Sequence, residues 1–312
     1  MSLTVSVIIC TRNRPDDLAA CLRSLATQTR RPAEVVVVDA SDGDASREAV
    51  MAWAAARGAP RVRYLHAAPG LARQRNLGIG IATGHLMTFL DDDVVLARGY
   101  LACIVELFEL DPMLAGAEGV VATAPLSGRR WCANLFRRVF LMNSLGRPRG
   151  VKRSGFVAYD PWPPSARQVG SLVGCNMSYR RTVFERFRFD EWFDGYGLCE
   201  DQDFSYRVGR RHRLVQTPTA RLEHRLSPVA RERLGALHAM TVVNHFYFVR
   251  KNLPHTPRTW LCFAWSELGE LLSVLKTADR AAIAGKLDGY RRVLALVRAR
   301  RPGSVPAKEM AA

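Results

Sequence analysis

Leu86-Met87-Thr88-Phe89-Leu90-Asp91-Asp92-Asp93 is the stretch on which the reading of this chain turns. A short apolar run of strand composition empties into three adjacent carboxylates. Such a strand delivers like charges to one edge of a sheet, which is costly unless a cation sits among them. Oxygen ligands suit Mg²⁺ or Mn²⁺, and a site with one or two carboxylates completes its shell with substrate phosphates. The cluster therefore implies a diphosphate ligand. Taken alone, three acids after a strand also fit a solvated turn.

Moving outward from this stretch, β-branched runs alternate with helical segments. Residues 5–10 form a first strand, and Pro15, Asp16 and Asp17 open a helix with Leu18, Cys21, Leu22 and Leu25 at helical spacing. Residues 34–39 are nearly all valine, as a strand covered on both faces requires. A loop at 41–46, a helix at 47–57, a strand at 62–65 and a helix at 70–82 follow, before the strand at 86–90. This is the pattern of an α/β fold with a mostly parallel, Rossmann-like sheet and flanking helices. Three strands end in polar residues: Thr11-Arg12-Asn13, Asp39 and Asp91. Ligand sites in open α/β sheets form at that edge.

The chain has 312 residues, 48% of them hydrophobic, enough for one large α/β domain and an appendage. Seven scattered cysteines without a C-x-x-C pair suggest neither a disulfide framework nor a zinc site. The N-terminus enters a core strand and lacks the order of a signal peptide, so a cytoplasmic location is expected. No apolar run is long enough to span a bilayer. The net charge of +16 is uneven: residues 124–170 hold nine Lys and Arg against one acid, and residues 226–312 hold fourteen against six. These two patches either keep the protein soluble or attract an anionic membrane surface or lipid. No nucleic-acid reading module surrounds them, so nucleic acid is not expected as a partner.

Residues 124–170, rich in Arg, Pro, Gly and aromatics, read as a long loop with one short helix. Residues 174–179 read as a strand. Gly197-Leu198-Cys199-Glu200-Asp201-Gln202-Asp203 precedes a helical pattern, and helix capping explains one of its acids better than three. A carboxylate there can serve as general base toward a hydroxyl. His224 follows a strand end, where a lone histidine is commonly structural. Beyond residue 226 the chain is helical, and residues 258–276 align Leu261, Ala264, Trp265, Leu268, Leu271, Leu272 and Leu275 on one stripe. That stripe suits either packing on the sheet domain or an interfacial helix.

In order along the chain, V-S-V-I-I-C-T-R-N-R, V-V-V-V-D-A-S-D, G-L-A-R-Q-R-N-L-G, F-L-D-D-D, G-C-N-M-S-Y-R-R and E-D-Q-D-F-S-Y-R closely resemble the family 2 glycosyltransferases of the GT-A fold. The resemblance spans roughly residues 3–226. It implies inverting transfer of a sugar from a nucleotide-diphosphate donor, assisted by Mg²⁺ or Mn²⁺. It also implies roles: Thr11, Asn13 and Asp39 toward base or ribose, Arg75 and Asn76 near the donor, Asp91 on the ribose side, and Asp92 on the donor side between Asp91 and Asp93. Asp93 is implied as metal ligand, with His224 as a further metal contact. Asp201 is implied as the base, with Glu200 supporting the acceptor.

The sequence departs from the family's pattern at Ala40-Ser41-Asp42 and Gln74, which leaves donor identity open. The Q-x-x-R-W pattern of processive synthases is missing, so single addition is expected. The expected organisation is a transferase domain over residues 1–225, with 124–170 as an acceptor-side loop, and a basic helical extension over 226–312. The expected acceptor is a saccharide or a lipid-linked molecule in cell-surface polysaccharide or glycolipid synthesis, met at the inner face of the membrane. A catalytically silent nucleotide-sugar or polyanion-binding protein is the alternative. A nucleotidyltransferase or a dehydrogenase would show a glycine-rich phosphate loop after the first strand, and none follows it.

Overall fold

The computed structural model describes residues 2–56, 58–122, 128–226 and 234–299. Contacts divide the chain into two compact units. The first takes in residues 1–124, 161–191 and 200–229, and the second residues 125–160, 192–199 and 230–312.

The first unit is built on one sheet. Its strands are β1 (Val5–Thr11), β2 (Glu34–Asp39), β3 (Arg61–His66), β4 (Leu86–Asp91), β5 (Val94–Leu96) and β6 (Leu114–Val121). Helices α1 (Pro15–Ala26), α2 (Ala45–Ala54), α3 (Leu71–Ile81) and α4 (Tyr100–Leu110) connect them. Strand order across β3-β2-β1-β4 is parallel throughout, with Ile8 opposite both Val36 and Phe89. The order reverses at β1, and the crevice at the carboxyl ends of β1 and β4 is where such a sheet receives ligands.

Strand alternation builds the two sides of the core. Val5, Val7, Ile9, Val35 and Val37 join Leu18, Leu22 and Ile104 in one cluster, while Ile8, Val36, Val38 and Phe89 join Tyr179, Phe184 and Phe204 in another. The valine strand β2 is buried along its whole length for that reason.

The second unit holds α5 (Gly128–Val139) and three short strands, β7 (Ser144–Leu145), β8 (Gly150–Val151) and β9 (Val157–Tyr159), which form a sheet of their own in the order β7-β9-β8. Where a long loop with one short helix was expected over 124–170, this unit holds a 12-residue helix and a small sheet. Strands of two or three residues, interrupted by Gly and Pro, are too short to show a period of two.

Back in the first unit, β10 (Arg167–Val169), β11 (Met177–Arg180), α6 (Glu200–Gly209) and β12 (Arg213–His224) complete the fold. β11 lies antiparallel between β4 and β6, and β12 runs parallel to β6 while pairing antiparallel with β5 and β10. The sheet is therefore mixed beyond β4. The strand expected at 174–179 begins with a 3-10 turn, Gly174–Asn176, before β11.

The helices α7 (Leu234–Asn252), α8 (Pro257–Leu275) and α9 (Arg280–Arg298) belong to the second unit. α7 and α9 approach closely because small residues face each other: a Cβ on Gly285 would strike the Gly235 backbone, and one on Gly289 would meet Ala239 and Val242. In α8 the buried side carries Thr259, Ser266, Glu267, Gly269 and Val274, whereas Leu261, Trp265, Leu268 and Leu275 stand exposed. Most of the leucine stripe faces outward, with Leu271 and Leu272 half-buried, while Ser266, Glu267 and Gly269 face in. Glu267 is satisfied inside by His245 at 2.6 Å and the Tyr290 hydroxyl at 3.1 Å, and Lys286 reaches Glu270 at 3.1 Å. No described helix is long and apolar enough to cross a membrane.

Candidate active site

Asp91 ends β4, and Asp92 and Asp93 make the turn into β5. β5 then leaves its neighbour and pairs with the end of β12, where His224 stands opposite Val94. That register, sealed by the Arg225 amide donating to the Asp93 carbonyl at 3.0 Å, carries His224 across 131 residues of sequence. His224 Nε2 comes to 3.0 Å from Asp93 Oδ1. Ligand atoms of Asp91, Asp93 and His224 all lie within 4.8 Å of one another, so the three can hold a metal ion. Two carboxylates and one imidazole form a donor set suited to Mn²⁺, while the carboxylates alone serve Mg²⁺.

The carboxylate cluster has cations of its own. Arg14, three residues beyond β1, reaches Asp92 Oδ1 at 3.1 Å and Asp93 Oδ2 at 3.8 Å. The Thr11 hydroxyl donates to the other Asp92 oxygen at 2.7 Å. Desolvation still dominates at Asp92 and pushes its carboxyl up to about 7, with Arg14 and Thr11 pulling the other way. Asp91, about one-third exposed, is also raised, by desolvation first, against the pull of Arg75 and His224.

Arg75 is the second cation. Its side chain is 3% exposed, and it projects from α3 to meet Glu200 Oε1 at 2.5 Å, Asp91 Oδ1 at 3.4 Å and the Gly174 carbonyl at 3.4 Å. It thereby ties β4 to the start of α6. Glu200, Asp201 and Asp203 occupy the first turn of α6, where unsatisfied amides and the helix dipole favour negative charge. Asp203 closes a fork with Arg207 at 2.8 and 2.9 Å. Asp201 accepts the Gly174 amide at 2.7 Å and the Gln202 amide at 2.7 Å. Burial raises the Glu200 carboxyl to about 8, Asp201 adds to the rise and Arg75 opposes it.

Gly174 is needed at this point. A Cβ there would lie 2.9 Å from Asp201 Oδ2 and 3.1 Å from the Arg75 guanidinium. Asn176, two residues on, uses its buried carbonyl oxygen to accept the Gly119 amide at 2.9 Å.

At the neighbouring strand ends, Asp39 is fully buried and accepts the Ser41 amide at 2.8 Å and the Tyr64 hydroxyl at 2.7 Å. Asn13 is left-handed, with φ of 55°, and exchanges two hydrogen bonds with Asp42 at 2.8 and 2.9 Å. The structure therefore joins Thr11, Arg75, Asp91, Asp92, Asp93, Glu200, Asp201 and His224 into one connected network. Asn76 turns elsewhere: its amide clamps both backbone groups of Phe189, at 2.9 and 3.0 Å, and Glu191 at 2.9 Å. Sequence reasoning omitted Arg14 and Gly174. The signal for Arg14 was the acid cluster itself, which demands counter-charge, although no spacing rule says which arginine supplies it.

Comparison with known proteins agrees with this geometry. The family model "Glycosyl transferase family 2" matches residues 6–188, more than half of the chain. A stretch of 109 residues, 34% of this chain, is 39% identical to the uncharacterized glycosyltransferase YibD of Escherichia coli (strain K12), of which it spans 31%. Over 220 residues, 70% of this chain and 72% of the relative, it is 24% identical to the uncharacterized glycosyltransferase YwdF of Bacillus subtilis (strain 168). Among solved structures, the mannosyltransferase PcManGT of Pyrobaculum calidifontis, in complex with GDP-Man and Mn²⁺, superposes with a TM-score of 0.60 at 19% identity. That likeness covers 99% of this chain and 79% of the other. GalNAc-T7 with UDP, GalNAc and Mn²⁺ follows at 0.58 and 17%, covering 86% and 55%. At such identities the structural likeness carries the fold, which is GT-A. With the sheet, the acid cluster and the matched family model in agreement, this chain belongs to glycosyl transferase family 2.

Proposed function

We propose that the chain is an inverting hexosyltransferase that moves a sugar from a nucleotide-diphosphate donor to an acceptor hydroxyl, with Mn²⁺ or Mg²⁺ held by Asp91, Asp93 and His224. The observation that carries this reading is the network itself: a three-residue metal-ligand set and an acidic helix start, bridged by one buried arginine. Both superposed neighbours contain Mn²⁺ and a nucleotide or nucleotide sugar, which supports the same assignment. When bound, the metal ion would offset the negative charge that grows on the leaving diphosphate.

The chain's own groups divide the remaining work. Asp201 takes the proton of the acceptor hydroxyl as that oxygen bonds to the anomeric carbon and the bond to the diphosphate breaks, inverting the centre in one displacement. Each Asp201 oxygen accepts one amide and keeps a second lone pair for that proton. Glu200 is committed to Arg75 and acts by holding α6 against β4. Thr11 and Arg14 hold Asp92, which fixes the turn that presents its two neighbours. Asn13, Asp39 and Asn76 are proposed around the base and ribose, with Asn76 acting by ordering residues 189–191. The setting we propose is cell-surface polysaccharide or glycolipid synthesis at the inner membrane face, with a saccharide or lipid-linked acceptor.

A panel of UDP-, GDP- and dTDP-sugars assayed for Mn²⁺-dependent binding and slow hydrolysis tests the reading. One donor class should bind and turn over. Asp201→Asn should keep donor binding and lose transfer by about 10²-fold or more, the scale of general-base catalysis. Binding without turnover across the panel and any acceptor would instead mark a silent nucleotide-sugar-binding protein, and full activity of Asp201→Asn would remove that residue from the mechanism.

A further inference from the structure

In the second unit, α5 and α8 leave apolar side chains uncovered. Trp131, Leu135 and Val139 recur every four residues on α5, and Leu261, Trp265 and Leu268 follow at spacings of four and three on α8. All six are exposed, Leu261 by 71% and Trp131 by 62%. The two rows meet where Trp265 Nε1 donates to the Val139 carbonyl at 2.9 Å and the Phe140 ring stacks on Trp265 at 4.8 Å. Together they make one apolar strip, and contiguous exposed strips of this kind mark interaction surfaces.

The charges around the strip say what covers it. Arg137 and Arg138 end α5, Arg258 begins α8, and Lys276 follows it, with its ammonium 4.6 Å over the Phe136 ring. α5 contains no acid, and both carboxylates of α8 are engaged within the unit: Glu267 is buried against His245 and Tyr290, and Glu270 pairs with Lys286. The outer faces of the two helices thus combine leucine, tryptophan and valine with arginine and lysine, and the one partly exposed acid, Glu270, is paired with Lys286.

We infer that this strip docks the protein on an anionic lipid bilayer, with the tryptophans at headgroup depth and the basic residues against acidic headgroups. A second copy of the chain would set these same positive charges against one another. Nucleic acid would meet the arginines but gains nothing from exposed leucine and valine. The inference deepens the membrane-face setting proposed above and rests on no step of the transfer reaction.

Co-sedimentation of the full chain with phosphatidylglycerol or phosphatidylcholine vesicles at low salt tests it, with donor hydrolysis in solution measured on the same samples. The wild type should pellet with the anionic vesicles and stay soluble with the neutral ones. Arg137→Gln/Arg138→Gln should weaken binding roughly 25-fold, at about five-fold per basic residue. Leu261→Glu/Leu268→Glu should abolish it while circular dichroism and donor hydrolysis stay unchanged. Absence of wild-type binding to anionic vesicles, equal binding to both kinds, or unimpaired binding by the leucine variant would overturn the inference. So would self-association that the leucine variant removes in the absence of vesicle binding. Loss of hydrolysis alone, with vesicle binding intact, would count against the transfer reading and leave the surface standing.

Discussion

Replacing Arg75 with Met keeps much of the volume of that side chain and removes its charge. In the structure the guanidinium is 3% exposed and reaches Glu200 at 2.5 Å and Asp91 at 3.4 Å, with Asp201 held on the same Gly174 turn. Near pH 9, where Glu200 is ionised, removing one partner of this buried pair costs about 3–5 kcal/mol, because the other charge is left without compensation. For a domain of this size each kcal/mol moves the melting temperature by about 2–4 °C, so a fall of roughly 6–20 °C is expected. The pH dependence carries the sign. Burial already raises Glu200 to about 8, and losing Arg75 raises it further. A carboxyl whose folded value lies above its unfolded one contributes stability that is full below the unfolded value, about 4.3, and is lost as pH rises through the folded value. The deficit of Arg75→Met should therefore be smaller near pH 5 than near pH 9. Arg75→Lys should recover only part of it, since an ammonium cannot serve several acceptors with a planar fork. Thermal unfolding followed by circular dichroism across that pH range measures all three proteins. A Met variant that melts within about 1 °C of wild type at pH 9, or whose deficit grows toward pH 5, would refute the buried-hub account.

Gly174→Ala should lower stability by about 1–3 kcal/mol and reduce transfer, because the new Cβ overlaps Asp201 and Arg75; a variant with wild-type kinetics would show that the turn yields without cost. Saturating Mn²⁺, at about 100 times its dissociation constant, should stabilise the wild type by about 2.7 kcal/mol in a thermal-shift assay. Asp93→Ala or His224→Ala should lose most of that shift, and an undiminished shift in both would place the ion elsewhere. In the second unit, Glu267→Leu should cost about 3 kcal/mol at neutral pH. Burial would raise the Glu267 carboxyl, but the His245 hydrogen bond and charge, with Lys286 and Tyr290, outweigh it and hold it below the usual range. Its contribution is therefore present above the unfolded value, about 4.3, and is lost as pH falls through the lower folded value, so the gap to the variant should close in acid. A gap that persists unchanged at pH 3 would contradict this pairing.

The strands β1, β2 and β4 and the acids that end β2 and β4 were legible because two-sided burial writes continuous apolar runs, and three adjacent carboxylates are conspicuous in any sequence. The small β7–β9 sheet was not legible, since strands of two or three residues carry no period. The sequence left the orientation of α8 open, between packing on the sheet domain and an interfacial helix, for a physical reason. Its apolar stripe reads as the buried face by the usual rule, yet the side turned inward carries Ser266, Glu267 and Gly269. Burial there is sustained by hydrogen bonds from His245 and Tyr290 to Glu267. A hydrophobicity pattern does not encode a polar contact between residues 22 or 23 positions apart.

By itself the sequence determined the parallel βα order of the first half and the edge at which ligands gather, because these follow from local period, while the roles proposed for Asp91, Asp93 and Asp201 came from the family resemblance. Only the tertiary structure decided which distant residues meet those acids. His224 reaches Asp93 through the β5–β12 register, Arg75 joins β4 to α6, and Arg14 neutralises the turn between β4 and β5. Each of these partnerships links residues from 16 to 131 positions apart. Pairings of that range are set by strand register and core packing, and no local pattern in the chain specifies them.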